Sequence, residues 1–305
     1  MQVTLIHNPD AGGDHRPSGD DLLELIHKAG HSATFQSSKD AGWDKALEKA
    51  SDLVAVAGGD GMVGQVAKRM IGRRIPIAIL PMGTANNIAT SLGVKNLGID
   101  ELIFGWTSAR RVKFDVGNAK GPWGSKPFIE AFGMGLFTNT MSRLDAKSNA
   151  QLAHLSASDD KLISVLQILR SGVESCRSHE MKIIFDDRDL SGRYILLEAM
   201  NIHCVGPNFW LAPPADPGDG LLDLVIASHD ERERIHKYLS DRIENKSNYP
   251  GLTIHKGRRL RIECAGVEFH IDDDLWPEKG SPVIEEPVAV ELSLNTEQVE
   301  MLAPE

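Results

Sequence analysis

Two glycine-containing segments of this chain carry residues that could bind a phosphate group. The first is Gly58-Gly59-Asp60-Gly61 and the second is Gly83-Thr84-Ala85-Asn86, and each follows an apolar run. Glycine has no Cβ, so the backbone can turn sharply and bring its N–H groups close to a ligand. A helix that begins after such a turn adds free N–H groups and the positive end of its dipole. A single segment of this kind would more often be a tight turn with a capping aspartate, but the pair favours a phosphate cradle in which Asp60 holds Mg²⁺ or accepts a proton.

Acidic residues in the second half of the chain form two further candidate sites. Asp216 and Asp219, separated by proline and glycine, could fold onto one hard cation together with a backbone carbonyl. Oxygen ligands of that kind suit Mg²⁺ or Ca²⁺. A tight turn that enters the next strand explains the same residues equally well. Asp272, Asp273 and Asp274 end a later strand, where the simplest interpretation is a solvated acidic turn.

The elements that position the glycine segments alternate between strand and helix. Four short apolar runs, separated by segments of helical periodicity, predict strands at 3–7, 32–35, 53–57 and 75–80. Such alternation with short connections is typical of a parallel sheet covered by helices. Ligands of these sheets bind beyond the carboxyl ends of the strands. Asn8, which follows the first strand, should therefore lie at the same edge as both glycine segments.

The periodicity changes after Arg110, where apolar and polar residues begin to alternate. Alternation with a period of two, interrupted by turn residues, predicts an antiparallel sandwich or barrel. Helical runs interrupt it at about 136–145, 159–171 and 231–243, and residues 146–158 are expected to form a mobile loop.

The order of these motifs resembles a known family. Gly58-Gly59-Asp60-Gly61 followed by Pro81-x-Gly83-Thr84-x-Asn86 is similar to the diacylglycerol kinase catalytic domain, which bacterial lipid kinases and sphingosine kinases share. The resemblance implies α/β plus all-β architecture. An N-terminal parallel, NAD kinase-like domain would cover residues 1–111, with 296–305 returning to it. A C-terminal antiparallel β-sandwich domain for the acceptor would cover 112–295, with the site in the cleft between the two.

The same resemblance implies roles for individual residues. ATP would contact the two glycine segments and the end of the first strand, through Asn8, Gly58, Gly59, Asp60, Gly61, Gly83, Thr84 and Asn86. A structural Mg²⁺ ion would be held by Asp216, Asp219 and the carbonyl of Leu221. The general base would be Asp272 or Asp60. The chain departs from the family pattern at Asn87, where many relatives carry aspartate, and at Asp273, where glycine is usual.

The bulk composition excludes several classes of protein. A net charge of −10 argues against a nucleic-acid partner, because that binding rests on neutralising phosphates. The chain contains no run of about 18 apolar residues, so no transmembrane helix is expected. The N-terminus lacks the pattern of a signal peptide. Three isolated cysteines predict reduced thiols in a cytosolic protein.

The resemblance therefore predicts an ATP-dependent lipid kinase whose acceptor is diacylglycerol-like or sphingoid-like. Such an enzyme would be cytoplasmic and in peripheral contact with the inner face of the membrane, with a homodimer as one candidate assembly. A kinase of a soluble acceptor is one alternative, because Gly-Gly-Asp-Gly also occurs in NAD kinases and phosphofructokinases. A non-catalytic nucleotide- or lipid-binding regulator is another, and the departures at Asn87 and Asp273 keep it open.

Overall fold

The computed structural model describes residues 1–11, 16–144, 158–246, 249–278 and 280–304. Nearly all of the predicted loop 146–158 lies outside the described residues. The chain divides into two compact units, Met1–Val116 with Thr296–Glu305, and Gly117–Asn295.

The elements follow one another in this order. The first unit begins with β1 (Gln2–His7), α1 (Gly19–Lys28), β2 (Ser32–Ser37), α2 (Lys45–Glu48), β3 (Leu53–Gly58), α3 (Asp60–Met70), β4 (Ile77–Pro81), α4 (Asn87–Ser91), α5 (Ile99–Gly105) and β5 (Arg110–Phe114). The second contains β6 (Gly117–Gly121), β7 (Gly124–Phe128), β8 (Ala131–Gly135), α6 (Leu136–Arg143), α7 (Ser158–Ser175), β9 (His179–Phe185), β10 (Arg188–Asp189), β11 (Gly192–Met200), β12 (Cys204–Val205), β13 (Phe209–Trp210), β14 (Leu222–Ser228), α8 (Arg232–Ile243), β15 (Ile254–Gly257), β16 (Arg259–Cys264), β17 (Phe269–Ile271), β18 (Asp274–Trp276) and β19 (Val288–Leu294). The last strand, β20 (Val299–Ala303), belongs to the first unit.

The first unit is built on a six-stranded sheet with the order β2-β1-β3-β4-β20-β5. Strands β1 to β4 are parallel, and all six residues of β3 are buried, as expected for a strand covered on both faces. Because parallel strands end at one edge, the segments after β1, β3 and β4 meet there. These three segments contain Asn8 and the two glycine segments, which the sequence analysis predicted to lie at one edge of the sheet.

The division between the two compact units follows from the pairing of β5. The expected domain boundary, between residues 111 and 112, falls within this strand, which pairs antiparallel with β20 at the edge of the first sheet. The last strand also pairs with β4 through Met301 and Ile77. Pairing of β5 with β20 therefore moves the division to Val116.

The second unit is an antiparallel sheet of twelve strands, whose longest path is β18-β17-β8-β11-β9-β16-β19-β6-β7. Side chains from both halves of this path share one apolar core, which includes Phe132, Phe185 and Phe269. A second core lies where α6, α7 and α8 pack, around Leu169, Leu196 and Leu239. The expected fold class, a parallel α/β domain followed by an antiparallel β domain, is therefore confirmed.

Within the described part of the chain, no helix combines the length and the apolar character that a membrane span requires.

Candidate active site

The two glycine loops of the first unit touch each other backbone to backbone. They follow neighbouring strands, with Gly58 paired to Pro81 in the register of β3 and β4. A Cβ added to Gly59 would lie 3.0 Å from the Cα of Gly83, and one added to Gly83 would collide with the Cα of Gly59. Both positions therefore need glycine for the loops to pack. The close packing places the backbone of both loops at one edge of the sheet, next to the start of α3.

Asn86 shapes the second loop from within. Its Oδ1 accepts a hydrogen bond from the Gly83 N–H at 2.9 Å, and its Nδ2 donates to the Gly83 carbonyl at 2.8 Å. The residue is buried and left-handed, with φ of 55°, a conformation that asparagine tolerates better than most residues. Its amide thus holds the loop backbone, whereas Thr84 is exposed on the same loop. That either residue contacts ATP stays a prediction.

Asp60 connects the two loops through its side chain. It is the first residue of α3, and its Oδ1 accepts a hydrogen bond from the Ile88 N–H in the first turn of α4 at 2.9 Å. Burial raises the pKa of Asp60, although backbone N–H groups of α4 and the charge of Lys95 work in the opposite direction. The structure therefore brings this carboxyl to the N-terminal ends of two helices, where an anion is favoured.

Two basic residues lie near these loops that the sequence analysis did not identify. Arg16 donates from Nη1 to the carbonyl of Pro81 at 3.2 Å, at the end of β4. Lys95 lies close enough to Asp60 to lower its pKa. Neither belongs to a motif, and a search for basic residues shortly after each loop could have found them. They give the cradle positive charge in a chain whose net charge is −10.

Asn8, the remaining predicted ATP contact, lies at the end of β1. Its N–H donates to the carbonyl of Ala57 at 2.9 Å, and its Oδ1 accepts from the Asp10 N–H at 3.2 Å. A Cβ at Gly58 would be 3.6 Å from the Asn8 Cβ. Asn8 is therefore adjacent to the first glycine loop, as predicted from the strand order, and Gly61 is exposed in the first turn of α3.

Asp272 occupies the two-residue turn between β17 and β18. Its carboxylate accepts hydrogen bonds from three consecutive backbone N–H groups, at 3.0 Å from Ile129, 2.8 Å from Glu130 and 3.3 Å from Ala131. The φ of Asp272 is +51°, whereas the φ of Asp273 is not positive. An aspartate at position 273, where the resembled family usually has glycine, therefore causes no left-handed strain at that residue. The predicted base is held by the segment that enters β8.

A buried Glu198–His270 pair underlies this turn and was not foreseen. His270 Nε2 lies 2.8 Å from Glu198 Oε2, and its Nδ1 lies 3.0 Å from the carbonyl oxygen of Asp272. A carbonyl can only accept, so Nδ1 carries the proton. Burial alone would lower the pKa of His270, but the Glu198 carboxylate and the carbonyl and carboxylate of Asp272 together outweigh burial and raise it. The pair thus fixes the backbone of the turn that presents Asp272.

We expect this pair to be important for stability. Replacing Glu198 with alanine leaves His270 buried without its counter-charge, and breaking a buried pair lowers the free energy of unfolding by about 3–5 kcal/mol. Glu263→Ala is the matched control, because Glu263 pairs with Lys182 and Arg261 at the surface, where pairs contribute about 0–1 kcal/mol. Urea unfolding measures both. Equal small losses in the two variants would contradict a special role for the buried pair.

The predicted structural Mg²⁺ site lies elsewhere in the second unit, in the turn before β14. Asp216 Oδ1 accepts from the Gly218 N–H at 2.9 Å, and Asp219 Oδ1 accepts from the Leu221 N–H at 2.9 Å. The other oxygen of Asp219 is 2.8 Å from Lys256 Nζ. An ammonium therefore lies against the carboxylate that a metal would need. Both oxygens of the Asp219 carboxylate are therefore already engaged by protein donors, which argues against a resident divalent ion on that carboxylate in this arrangement.

A third aspartate belongs to the same group. Asp223 is buried, and its Oδ2 is 3.6 Å from Lys256 Nζ. Burial raises the pKa of Asp223 to about 6, while Lys256 opposes that shift. Among the described residues, no cluster of three or more His, Cys, Asp or Glu side chains has the geometry to hold a metal ion.

Comparison with known proteins agrees with both halves of the architecture. Residues 2–119 match the diacylglycerol kinase catalytic domain, and residues 140–293 match the YegS C-terminal NAD kinase beta sandwich-like domain. A protein named diacylglycerol kinase from Mycobacterium tuberculosis (strain CDC 1551 / Oshkosh) is 24% identical over 278 residues, which cover 89% of this chain and 84% of that protein.

Solved structures share the fold. The crystal structure of a diacylglycerol kinase from Bacillus anthracis str. Sterne superposes with a TM-score of 0.67 at 22% identity, covering 99% of this chain and 96% of the other. Yeast NADH kinase complexed with NADH gives a TM-score of 0.54 at 8% identity, covering 100% and 84%. The motifs, the fold and the two family matches lead to one conclusion: the chain belongs to the diacylglycerol kinase catalytic-domain family and is a phosphotransferase.

Proposed function

We propose that this protein is an ATP-dependent lipid kinase, which transfers the γ-phosphoryl group of ATP to the hydroxyl of a diacylglycerol-like or sphingoid-like lipid. The observation that carries the proposal is the contact between Gly59 and Gly83, which needs two residues without side chains. Phosphoryl transfer depends on positioning and on neutralising phosphate charge rather than on a covalent residue. Two adjoining glycine loops beside basic residues suit that task.

Each part of the cradle has a role in this proposal. The backbone of Gly58 to Gly61 and of the loop at Gly83 binds the phosphates, while Arg16 and Lys95 offset their charge. Mg²⁺ bound with the nucleotide would neutralise further charge, with Asp60 as the carboxylate nearest the cradle. Asp272 or Asp60 accepts the proton of the lipid hydroxyl. The raised pKa of Asp60 supports its candidacy as a base.

The test is a direct transfer assay on the purified protein. Radiolabelled ATP and Mg²⁺ are incubated with micelles of diacylglycerol, phosphatidylglycerol, a sphingoid base or ceramide, and with NAD as a soluble acceptor. We expect label in the organic phase with at least one lipid. Label in NAD alone would replace the proposal with a kinase of a soluble acceptor. Binding of ATP without transfer to any acceptor would favour a regulator.

The lipid acceptor also requires contact with a membrane surface. We propose that the protein works in the cytoplasm and associates peripherally with the inner face of the membrane. Cosedimentation with vesicles that contain the preferred lipid should exceed cosedimentation with plain phosphatidylcholine vesicles. Equal recovery from both would contradict acceptor-dependent association. Analytical ultracentrifugation of the same preparation tests whether the protein is a homodimer.

A further inference from the structure

We propose that the ammonium of Lys256 is a built-in structural cation, which takes the place that a divalent metal ion would occupy among the oxygens of the turn before β14. This role concerns folding and metal content and is independent of the proposed function.

Three oxygens from two segments converge on Lys256 Nζ. Asp219 Oδ2 lies at 2.8 Å, the carbonyl oxygen of Pro214 at 3.2 Å and Asp223 Oδ2 at 3.6 Å. Two carboxylates and a main-chain carbonyl are the ligand types of a hard-cation site. An ammonium has three N–H donors, so it can be directed toward three oxygens at once.

The backbone places the lysine there. Strands β14 and β15 pair antiparallel with Asp223 directly opposite Lys256, and directly opposite residues lie close enough for their side chains to interact. The Lys256 side chain is 36% exposed, whereas that of Asp223 is only 1% exposed. Lys256 is thus the counter-charge of a carboxylate that the sheet buries.

A divalent ion and the ammonium would compete at this position. A Mg²⁺ ion bound to Asp219 Oδ2 would lie about 2 Å from that oxygen, and the ammonium is already 2.8 Å from it. Two cations on one carboxylate oxygen repel each other strongly in a partly buried setting. The other oxygen of Asp219 accepts the Leu221 N–H. Both oxygens of Asp219 are therefore engaged by protein groups.

The experiment measures metal content and thermal unfolding of the full chain. The wild-type protein, dialysed against Mg²⁺ and passed through a desalting column, should carry only substoichiometric metal by mass spectrometry. Its Tm should be the same in EDTA and in millimolar Mg²⁺. A retained divalent ion near one per chain, together with a lower Tm in EDTA, would overturn the proposal. This arm needs no variant and holds even if a variant fails to fold.

Lys256→Met keeps an unbranched side chain, one atom shorter, and removes its charge. In EDTA its Tm should fall by roughly 4–10 °C, because Asp223 loses its counter-charge inside the sheet. Millimolar Mg²⁺ or Ca²⁺ should restore part of the loss, since a divalent ion can enter the vacated place. Lys182→Met is the matched control, because Lys182 is 63% exposed and pairs with Glu263 at 3.5 Å. An unchanged Tm in Lys256→Met, or equal shifts in the two variants, would overturn the proposal.

Discussion

Replacing Gly59 with valine should reduce the binding of Mg·ATP below detection by calorimetry while the protein remains folded. The Cβ alone would lie 3.0 Å from the Cα of Gly83, and the two methyl groups would extend further into the space between the loops. The loops would have to separate, and the backbone N–H groups that we propose to bind the phosphates would no longer lie next to one another. Gly59 itself has φ of −97° and ψ of −176°, which any residue can adopt. The effect is therefore steric and does not come from backbone strain.

A pair of alanine variants separates this effect from a general loss of glycine. Gly59→Ala adds one methyl group against the backbone of another loop, whereas Gly64→Ala adds the same group within α3, where no heavy atom lies within 4 Å of it apart from its chain neighbours and the backbone of its own helix. The helical substitution should leave ATP affinity unchanged and can stabilise the helix by about 1 kcal/mol. Gly59→Ala should weaken ATP binding strongly with an unchanged circular dichroism spectrum. Wild-type affinity in both Gly59 variants would remove these loops from the nucleotide site.

The first unit could be predicted closely because its signals are local. A buried parallel strand is a short apolar run, and the residues that follow it lie at a known edge of the sheet, so the position of Asn8 and of both glycine loops followed from sequence order. The strand β20 was harder, because its pairing with β4 and β5 joins distant parts of the chain. No periodicity within β5 distinguishes a sheet edge in one unit from an opening strand in the next.

The missed parts of the second unit share a physical reason. Glu198 and His270 stand on different strands and become a pair only through the order of β8, β11 and β17 in the sheet. Lys256 likewise meets Asp223 only through the pairing of β14 with β15. A single sequence shows which residues could carry charge but not which opposite charge lies across a strand pair. The sequence analysis of Asp216 and Asp219 therefore did not include the lysine that pairs with Asp219 and Asp223.

Asp272→Asn should lower kcat by about 10²–10⁴ and leave ATP affinity near the wild-type value, if Asp272 is the general base. Asparagine keeps the shape of the side chain and removes the proton acceptor. It also replaces one carboxylate oxygen in the contacts with the Ile129 and Glu130 N–H groups, so some loss of Tm is expected as well. Asp60→Asn should lower kcat and also weaken the dependence of activity on Mg²⁺, because Asp60 lies at the phosphate cradle. Steady-state kinetics at several Mg²⁺ concentrations measure both.

The chain supplies a matched control for the structural part of this effect. Asp186 also has φ of +51°, and its carboxylate accepts backbone N–H groups of Arg258 at 3.1 Å and Arg259 at 2.9 Å. Asp186→Asn should therefore reproduce the loss of Tm without the loss of kcat. If Asp272→Asn lowers kcat no more than Asp186→Asn does, Asp272 anchors its turn and is not the base. If Asp60→Asn then abolishes turnover while Mg·ATP binding stays intact, the base is assigned to Asp60, whose half-buried carboxyl has the raised pKa that proton transfer near neutral pH favours.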